Sequence, residues 1–234
     1  MIEYFIDKIR DSTLDTEPFK HIIINDFIPE NIGRSLEKHF PEESDEYWTK
    51  NKKCDTTFYK LSSHRLDKDK FLPSHFQEII FKLNSGSICQ EISKKFEIDG
   101  LVSDPYLEGG GLHCIGKDGF LNIHADFNYH PVSNLHRRIN LLLYLNYDWQ
   151  DDWGGDLQLW SKDMKTKTHS ILPRGGCCVM FETDDDSYHG HPDPMPCPPD
   201  VYRKSIALYY YNFPSVLSDS ISKIRRSTVY KDTK

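Results

Sequence analysis

Apolar and polar positions alternate differently on the two sides of Asp104. Ahead of it, Phe19 to Ile28 reads as a β-branched strand that ends at Pro29, and Asn31 to Phe40 places Ile32, Leu36 and Phe40 on one helical stripe. Leu72 to Phe96 reads as one or two helices, opened by Pro73-Ser74 and broken near Asn84-Ser-Gly86. Residues 41–70 are charged and aromatic with little period, an irregular surface segment or flap, and 46–60 is a candidate substrate lid.

From Asp104 onward, short apolar runs are separated by Gly, Pro and Asp clusters. Strands are predicted near 112–116, 120–128, 137–146, 156–160, 168–172, 176–182, 187–190 and 203–212. About eight such strands make a double-sheet jelly roll. The predicted fold class is mainly β with N-terminal helices (α+β). Residues 1–103 form a strand and helix support within the same domain, 104–213 form the jelly roll, and 214–234 form a basic tail.

With 234 residues, 38% of them hydrophobic, the chain can bury one sizeable core. Its net charge of −7 argues against a general polyanion-binding surface, so nucleic acid is not an expected partner. Only the tail is basic (Lys223, Arg225, Arg226, Lys231, Lys234), and it reads as a solvated terminus. No apolar run approaches the roughly 18 residues that span a bilayer, and Met1 to Lys8 carries charges where a leader needs apolar residues. The expectation is a cytoplasmic protein without a membrane partner. Cys54, Cys89, Cys114, Cys177, Cys178 and Cys197 show no Cys-x-x-Cys ladder, which predicts reduced thiols rather than a zinc knuckle or disulfide framework.

Candidate chemistry begins at Gly119 to Asn128. In an extended strand, side chains at i and i+2 share one face roughly 7 Å apart, so His124 and Asp126 can hold one small ion together. A distant histidine must close the set. His189 and His191 share strand parity; His189 is favoured because Pro192 restricts the strand directly after His191. Two imidazoles and a carboxylate on one face leave positions open for a co-substrate and dioxygen, as Fe(II) oxygenases require, whereas structural zinc closes all four.

In the last strand, residues 203, 205, 207, 209 and 211 share a face. If it is the interior one, Arg203 and Ser205 need an anion such as a dicarboxylate; the alternative is an edge-strand Arg in a surface ion pair. By the same parity Asn140 and Tyr144 are polar groups within an apolar strand, either ligand contacts or, for Tyr144, a core residue bonded to backbone. Pro192 to Pro199 is a stiff loop, an entrance wall or a rigid connector, and Asp184-Asp-Asp186 reads as a solvated turn. Trp149, Trp153 and Trp160 frame a substrate or simply pack.

The ordered series Gly109-Gly-Gly-Leu-His113, His124-Ala-Asp126, Arg138 to Asn146, Trp153-Gly-Gly-Asp-Leu157, Pro173-Arg-Gly-Gly176, His189-Gly190 and Arg203-Lys-Ser205 resembles the 2-oxoglutarate- and Fe(II)-dependent dioxygenases. It is most similar to their prolyl-4-hydroxylase-like branch, over about residues 104–213. The resemblance implies a double-stranded β-helix with His124, Asp126 and His189 as iron ligands. It also implies Arg203 on the distal carboxylate of 2-oxoglutarate and Tyr144 on the strand that lines its pocket; Ser205, Asn140 and His113 are the further expected co-substrate contacts. The implied reaction hydroxylates an unactivated C–H bond of a peptide, protein or small-molecule substrate, releasing succinate and CO2, with ascorbate as an optional reductant. Two departures stand out: well-known prolyl hydroxylases carry Lys where Arg203 stands, and Leu112 to Gly116 lacks their upstream co-substrate Tyr. The rival reading from another class is a metal-binding jelly roll that serves as a binding or structural module without catalysis.

Overall fold

Strand Arg203–Asn212 (β12) shows how the molecule is layered. Its even residues Ile206, Leu208 and Tyr210 join the main apolar cluster, whereas Arg203, Ser205, Ala207, Tyr209 and Tyr211 turn the other way, as two-residue alternation requires. A strand buried on both faces needs a layer on each side, here helices outside and a second sheet inside.

The computed structural model describes residues 1–42, 49–50, 61–62, 72–213 and 228–230. The elements ahead of the jelly roll are α1 (Ile2–Asp11), β1 (His21–Ile24), α2 (Glu30–Lys38), β2 (Thr49–Lys50), β3 (Leu61–Ser62), α3 (Ser74–Leu83), α4 (Gly86–Phe96) and β4 (Val102–Ser103). The strands that follow are β5 (Gly111–Ile115), β6 (Leu121–Ala125), β7 (His136–Tyr144), β8 (Leu157–Trp160), β9 (Lys167–Ile171), β10 (Cys178–Glu182), β11 (His189–His191), β12 and β13 (Val229–Tyr230). The major sheet has the order β1-β10-β7-β12-β5-β3-β2, with β4 added to β12, and the minor sheet is β13-β6-β11-β8-β9. Neighbouring strands are antiparallel throughout.

The helices cover the outer face of the major sheet. Phe5, Ile9, Leu36, Phe76, Leu83, Ile88, Ile92 and Phe96 pack there against Ile22, Leu141, Leu143, Met180 and Leu208. Each fully buried aliphatic or aromatic side chain in this layer contributes about 1.5–3 kcal/mol. A smaller cluster of Phe19, Tyr144, Leu157, Leu159, Val179 and Phe181 fills one part of the space between the sheets, and the polar site occupies another.

All eight strands expected after Asp104 are present, with ends within a few residues of expectation. Before it, β1 is shorter than the expected 19–28, because Asp26 takes a left-handed conformation (φ 53°) and ends the extended run. The helix α1 was not anticipated. Ile2, Phe5, Ile6 and Ile9 form its inward stripe, and the charges that argue against a leader lie on its other side. The proposed lid, apart from the backbone of 49–50, lies outside the described residues, as does most of the tail. Val229 and Tyr230 of that tail pair with Ala125 and His124, so this part is a sheet edge rather than a solvated terminus.

Among the described residues no helix is long and apolar enough to cross a membrane. Cys89, Cys114, Cys177, Cys178 and Cys197 are buried free thiols, and Cys54 lies outside the described residues.

Candidate metal centre

The two-residue alternation of β6 turns His124 and, just past its end, Asp126 to the interior; β11 pairs alongside with His189 directly opposite His124. The close approach depends on Gly190. A Cβ there would lie 2.6 Å from the Leu121 carbonyl oxygen and 2.8 Å from that of Asn122, both on β6. The imidazole rings come to 4.5 Å between centroids. His124 Nε2 is 3.6 Å from Asp126 Oδ1, and His189 Nε2 is 3.5 Å from Asp126 Oδ2. All three side chains are buried.

Local hydrogen bonds fix what these groups offer. His124 Nδ1 lies 2.8 Å from the Asn122 carbonyl oxygen and His189 Nδ1 2.9 Å from that of Ser187. A carbonyl can only accept, so each Nδ1 carries a proton, which turns each Nε2 toward Asp126 as the ligand atom. Burial, reinforced by the neighbouring His124, pulls the His189 pKa down to about 4, so the ring is neutral at pH 7. For Asp126 burial opposes the charged form, but the Arg137 guanidinium, with the two histidines, holds the carboxyl well below the usual carboxylate range. Two imidazoles and one carboxylate, their ligand atoms within 4.8 Å of one another, form a donor set suited to ferrous iron with open positions left over.

Sequence reasoning missed Arg137. Simple parity along β7 would send it outward with Ile139, Leu141 and Leu143. The register slips at this point: Tyr210 pairs with Ile139, and Tyr211 with Arg137, which leaves Arg138 as an extra residue. This bulge turns Arg137 to the same face as Asn140. Arg137 Nη2 donates to Asp126 Oδ2 at 2.8 Å, and Asn140 Nδ2 donates to the same oxygen at 3.2 Å. The guanidinium carbon is 3.4 Å from the Tyr209 ring centroid and 4.7 Å from that of Phe127. Asn140, expected as a co-substrate contact, thus also braces the carboxylate.

Arg203 enters from the first position of β12 and is buried between the sheets, not exposed on an edge. Its Nε donates to the Gly155 carbonyl at 2.7 Å and its Nη2 to the Tyr144 hydroxyl at 3.1 Å. Both acceptors are neutral, and no carboxylate of the described residues pairs with it. Gly155, at φ 72°, leaves room for the Met195 side chain, whose sulfur would lie 2.6 Å from an added Cβ. Burial pushes the Tyr144 hydroxyl up to about 12, with Arg203 pulling the other way, so it is protonated.

Ser205 pairs with Tyr144 on one side and His113 on the other, and all three are buried. His113 is tied to the Gly109 carbonyl oxygen at 3.2 Å. His191, although buried, falls past the register break with β6 and is not part of the three-ligand group. The proline-rich loop is anchored rather than free: Met195 exchanges backbone hydrogen bonds with Asp118 and Gly119, and with Cys197 it packs on Ile115 and Trp149. The three tryptophans pack too. Trp149 and Trp153 meet edge to face, and Trp160 joins the cluster of Ile123 and Tyr188. Asp184–Asp186 forms a turn whose Asp185 accepts from Asn128.

The family model of the 2OG-Fe(II) oxygenase superfamily matches residues 110–211. No curated protein matches the chain. The fold is similar to that of a Pseudomonas putida prolyl-4-hydroxylase (15% identity, TM-score 0.56, covering 92% of this chain and 100% of that one). It is also similar to a prolyl 4-hydroxylase from Phytophthora capsici (19%, TM-score 0.62, 91% and 65%). A third similar structure is a Trichoplax adhaerens prolyl hydroxylase in complex with a hypoxia inducible factor peptide fragment (18%, TM-score 0.55, 90% and 89%). At these identities the structural likenesses establish the jelly-roll core alone. Over residues 110–211 the chain matches the 2OG-Fe(II) oxygenase superfamily, a family that implies Fe(II), 2-oxoglutarate and dioxygen as cofactor and co-substrates.

Proposed function

We propose that the chain hydroxylates an unactivated C–H bond of a prolyl-type substrate, carried in a peptide or protein or as an amino acid, while 2-oxoglutarate is converted to succinate and CO2. The observation that carries this reading is the contrast between two buried guanidiniums. Arg137 has its carboxylate in Asp126, whereas among the described residues Arg203 has only neutral partners. A buried cation without a counter-charge costs several kcal/mol, and a bidentate carboxylate relieves that cost. The distal carboxylate of 2-oxoglutarate fits the requirement.

Each side chain then has a task. His124, Asp126 and His189 would hold Fe(II), which supplies, when bound, the redox chemistry that couples decarboxylation to oxygen insertion. Arg137 and Asn140 fix the Asp126 carboxylate through Oδ2. Arg203 binds the co-substrate, and the protonated Tyr144 hydroxyl orients the guanidinium as its hydrogen-bond partner. Ser205 and His113 line the same wall. Leu159, Val179 and Phe181 keep this part of the interior dry, and the Phe181 ring lies 4.6 Å from that of His189. Ascorbate would serve as reductant in turnover assays.

A prolyl preference is supported by the likeness to prolyl hydroxylases, and a peptide substrate by the neighbour that carries a bound peptide. The test incubates the chain with Fe(II), 2-oxoglutarate, oxygen and peptide or amino-acid pools. A product heavier by one oxygen, with matching succinate release, is expected. Succinate without any oxygenated product would leave the hydroxylase reading without support, and the absence of both would favour a non-catalytic module.

A further inference from the structure

A second group of metal-ligating side chains lies at the opposite edge of the jelly roll from β13. Asp15, His21 and His169 come from three separate stretches, yet their ligand atoms lie within 4.8 Å of one another. We propose that these three residues form a second metal site that takes a divalent transition ion of the Zn(II) type, with water in the fourth position, and clips together the open edges of the two sheets.

Backbone geometry holds the first two ligands. Asp15 and His21 form an isolated antiparallel bridge, with Asp15 N donating to the His21 carbonyl at 2.9 Å and His21 N to the Asp15 carbonyl at 2.8 Å. Residues directly opposite in such a pair project from one face. His21 opens β1, the last strand of the major sheet, and His169 lies in β9, the last strand of the minor sheet. Edge strands carry unpaired backbone groups, and an ion bridging them would tie the two sheets where no hydrogen-bond ladder does.

The donor atoms are prepared in the same manner as at the catalytic centre. His21 Nδ1 is 3.0 Å from the Phe19 carbonyl oxygen, so it carries the proton and Nε2 has the lone pair. Asp15 Oδ1 accepts from Glu17 N at 2.9 Å, and Oδ2 stands 3.8 Å from His169 Nε2. The ring centroids of His21 and His169 are 4.6 Å apart, against 4.5 Å for His124 and His189. Donors 2.0–2.2 Å from a tetrahedral ion are roughly 3.3–3.6 Å apart, and these lie within 4.8 Å of one another, so a closure of about 1 Å brings them to bonding distance. The His21 side chain is buried. Half-exposed Asp15 and partly exposed His169 leave the remaining coordination position to water. Two imidazoles and a carboxylate suit Zn(II) and disfavour Ca(II) or Mg(II), which take all-oxygen sets.

The experiment titrates the full chain with Co(II) and Zn(II) against a chromogenic chelator and follows thermal unfolding. Two equivalents are expected for the unmodified protein, one for His189→Ala, one for His169→Ala and none for the double variant. In the His189→Ala chain, Zn(II) should raise the melting temperature, and adding His169→Ala or Asp15→Asn should abolish that rise. Failure of His189→Ala to bind any ion would overturn the proposal, as would binding and a melting shift that survive both His169→Ala and Asp15→Asn. Loss of the His189-dependent equivalent alone bears on the catalytic centre, so the two sites fail separately.

Discussion

Arg137→Met is the sharpest perturbation of the candidate centre. The guanidinium is fully buried, donates at 2.8 Å to Asp126 and is stacked on Tyr209, while Met keeps much of its apolar volume. Removing one partner of a buried ion pair leaves the other charge uncompensated and costs about 3–5 kcal/mol. The pH dependence identifies the cause. In the parent chain the folded pKa of Asp126 is depressed, so its contribution is fully present above the unfolded carboxyl value of about 3.9 and is lost only as pH falls through the folded value. Without Arg137 the largest influence that lowers it is gone, and the folded pKa rises. The penalty is then full at neutral pH and shrinks as Asp126 protonates. Denaturant unfolding of both metal-free chains at several pH values gives the difference, and a divalent ion at the triad should restore part of it. A loss below about 1 kcal/mol at pH 7, or one that stays constant down to pH 4, would refute the reasoning.

Arg203→Ala should raise the 2-oxoglutarate concentration needed for half-maximal turnover about 100-fold, the equivalent of a bidentate charge-assisted contact near 3 kcal/mol, while iron affinity changes little; the reverse order would show that Arg203 serves the metal instead. The metal-free chain should lose stability on the order of 3 kcal/mol as pH falls from about 6.5 to about 4, because His189 is buried neutral and its folded pKa lies below the unfolded one. His189→Leu should flatten that part of the profile, and a parent chain already flat there would contradict the placement of the ring.

Residue order and strand alternation made much of the centre legible. His124 and Asp126 share a face because side chains two apart always do in a strand, and Pro192 told His189 from His191. The alternation of β12 likewise put Arg203 and Ser205 inside. Arg137 drew no reading, and parity alone would have turned it outward; a bulge is a property of the pairing between two strands rather than of either alone, and nothing in His136 to Tyr144 encodes the slip against Tyr210 and Tyr211. Asn140 fell on the predicted face, yet its partner became visible only once β7 and the end of β6 were placed side by side. The cluster of Asp15, His21 and His169 had no linear signal at all, since its ligands meet only where the last strands of two sheets converge. Local periodicity is written in each segment by its own covalent geometry, so the sequence determined the strands, their inward faces and the ordered ligands. Register and the meeting of distant edges come from packing the whole chain at once, and only the tertiary structure decided them.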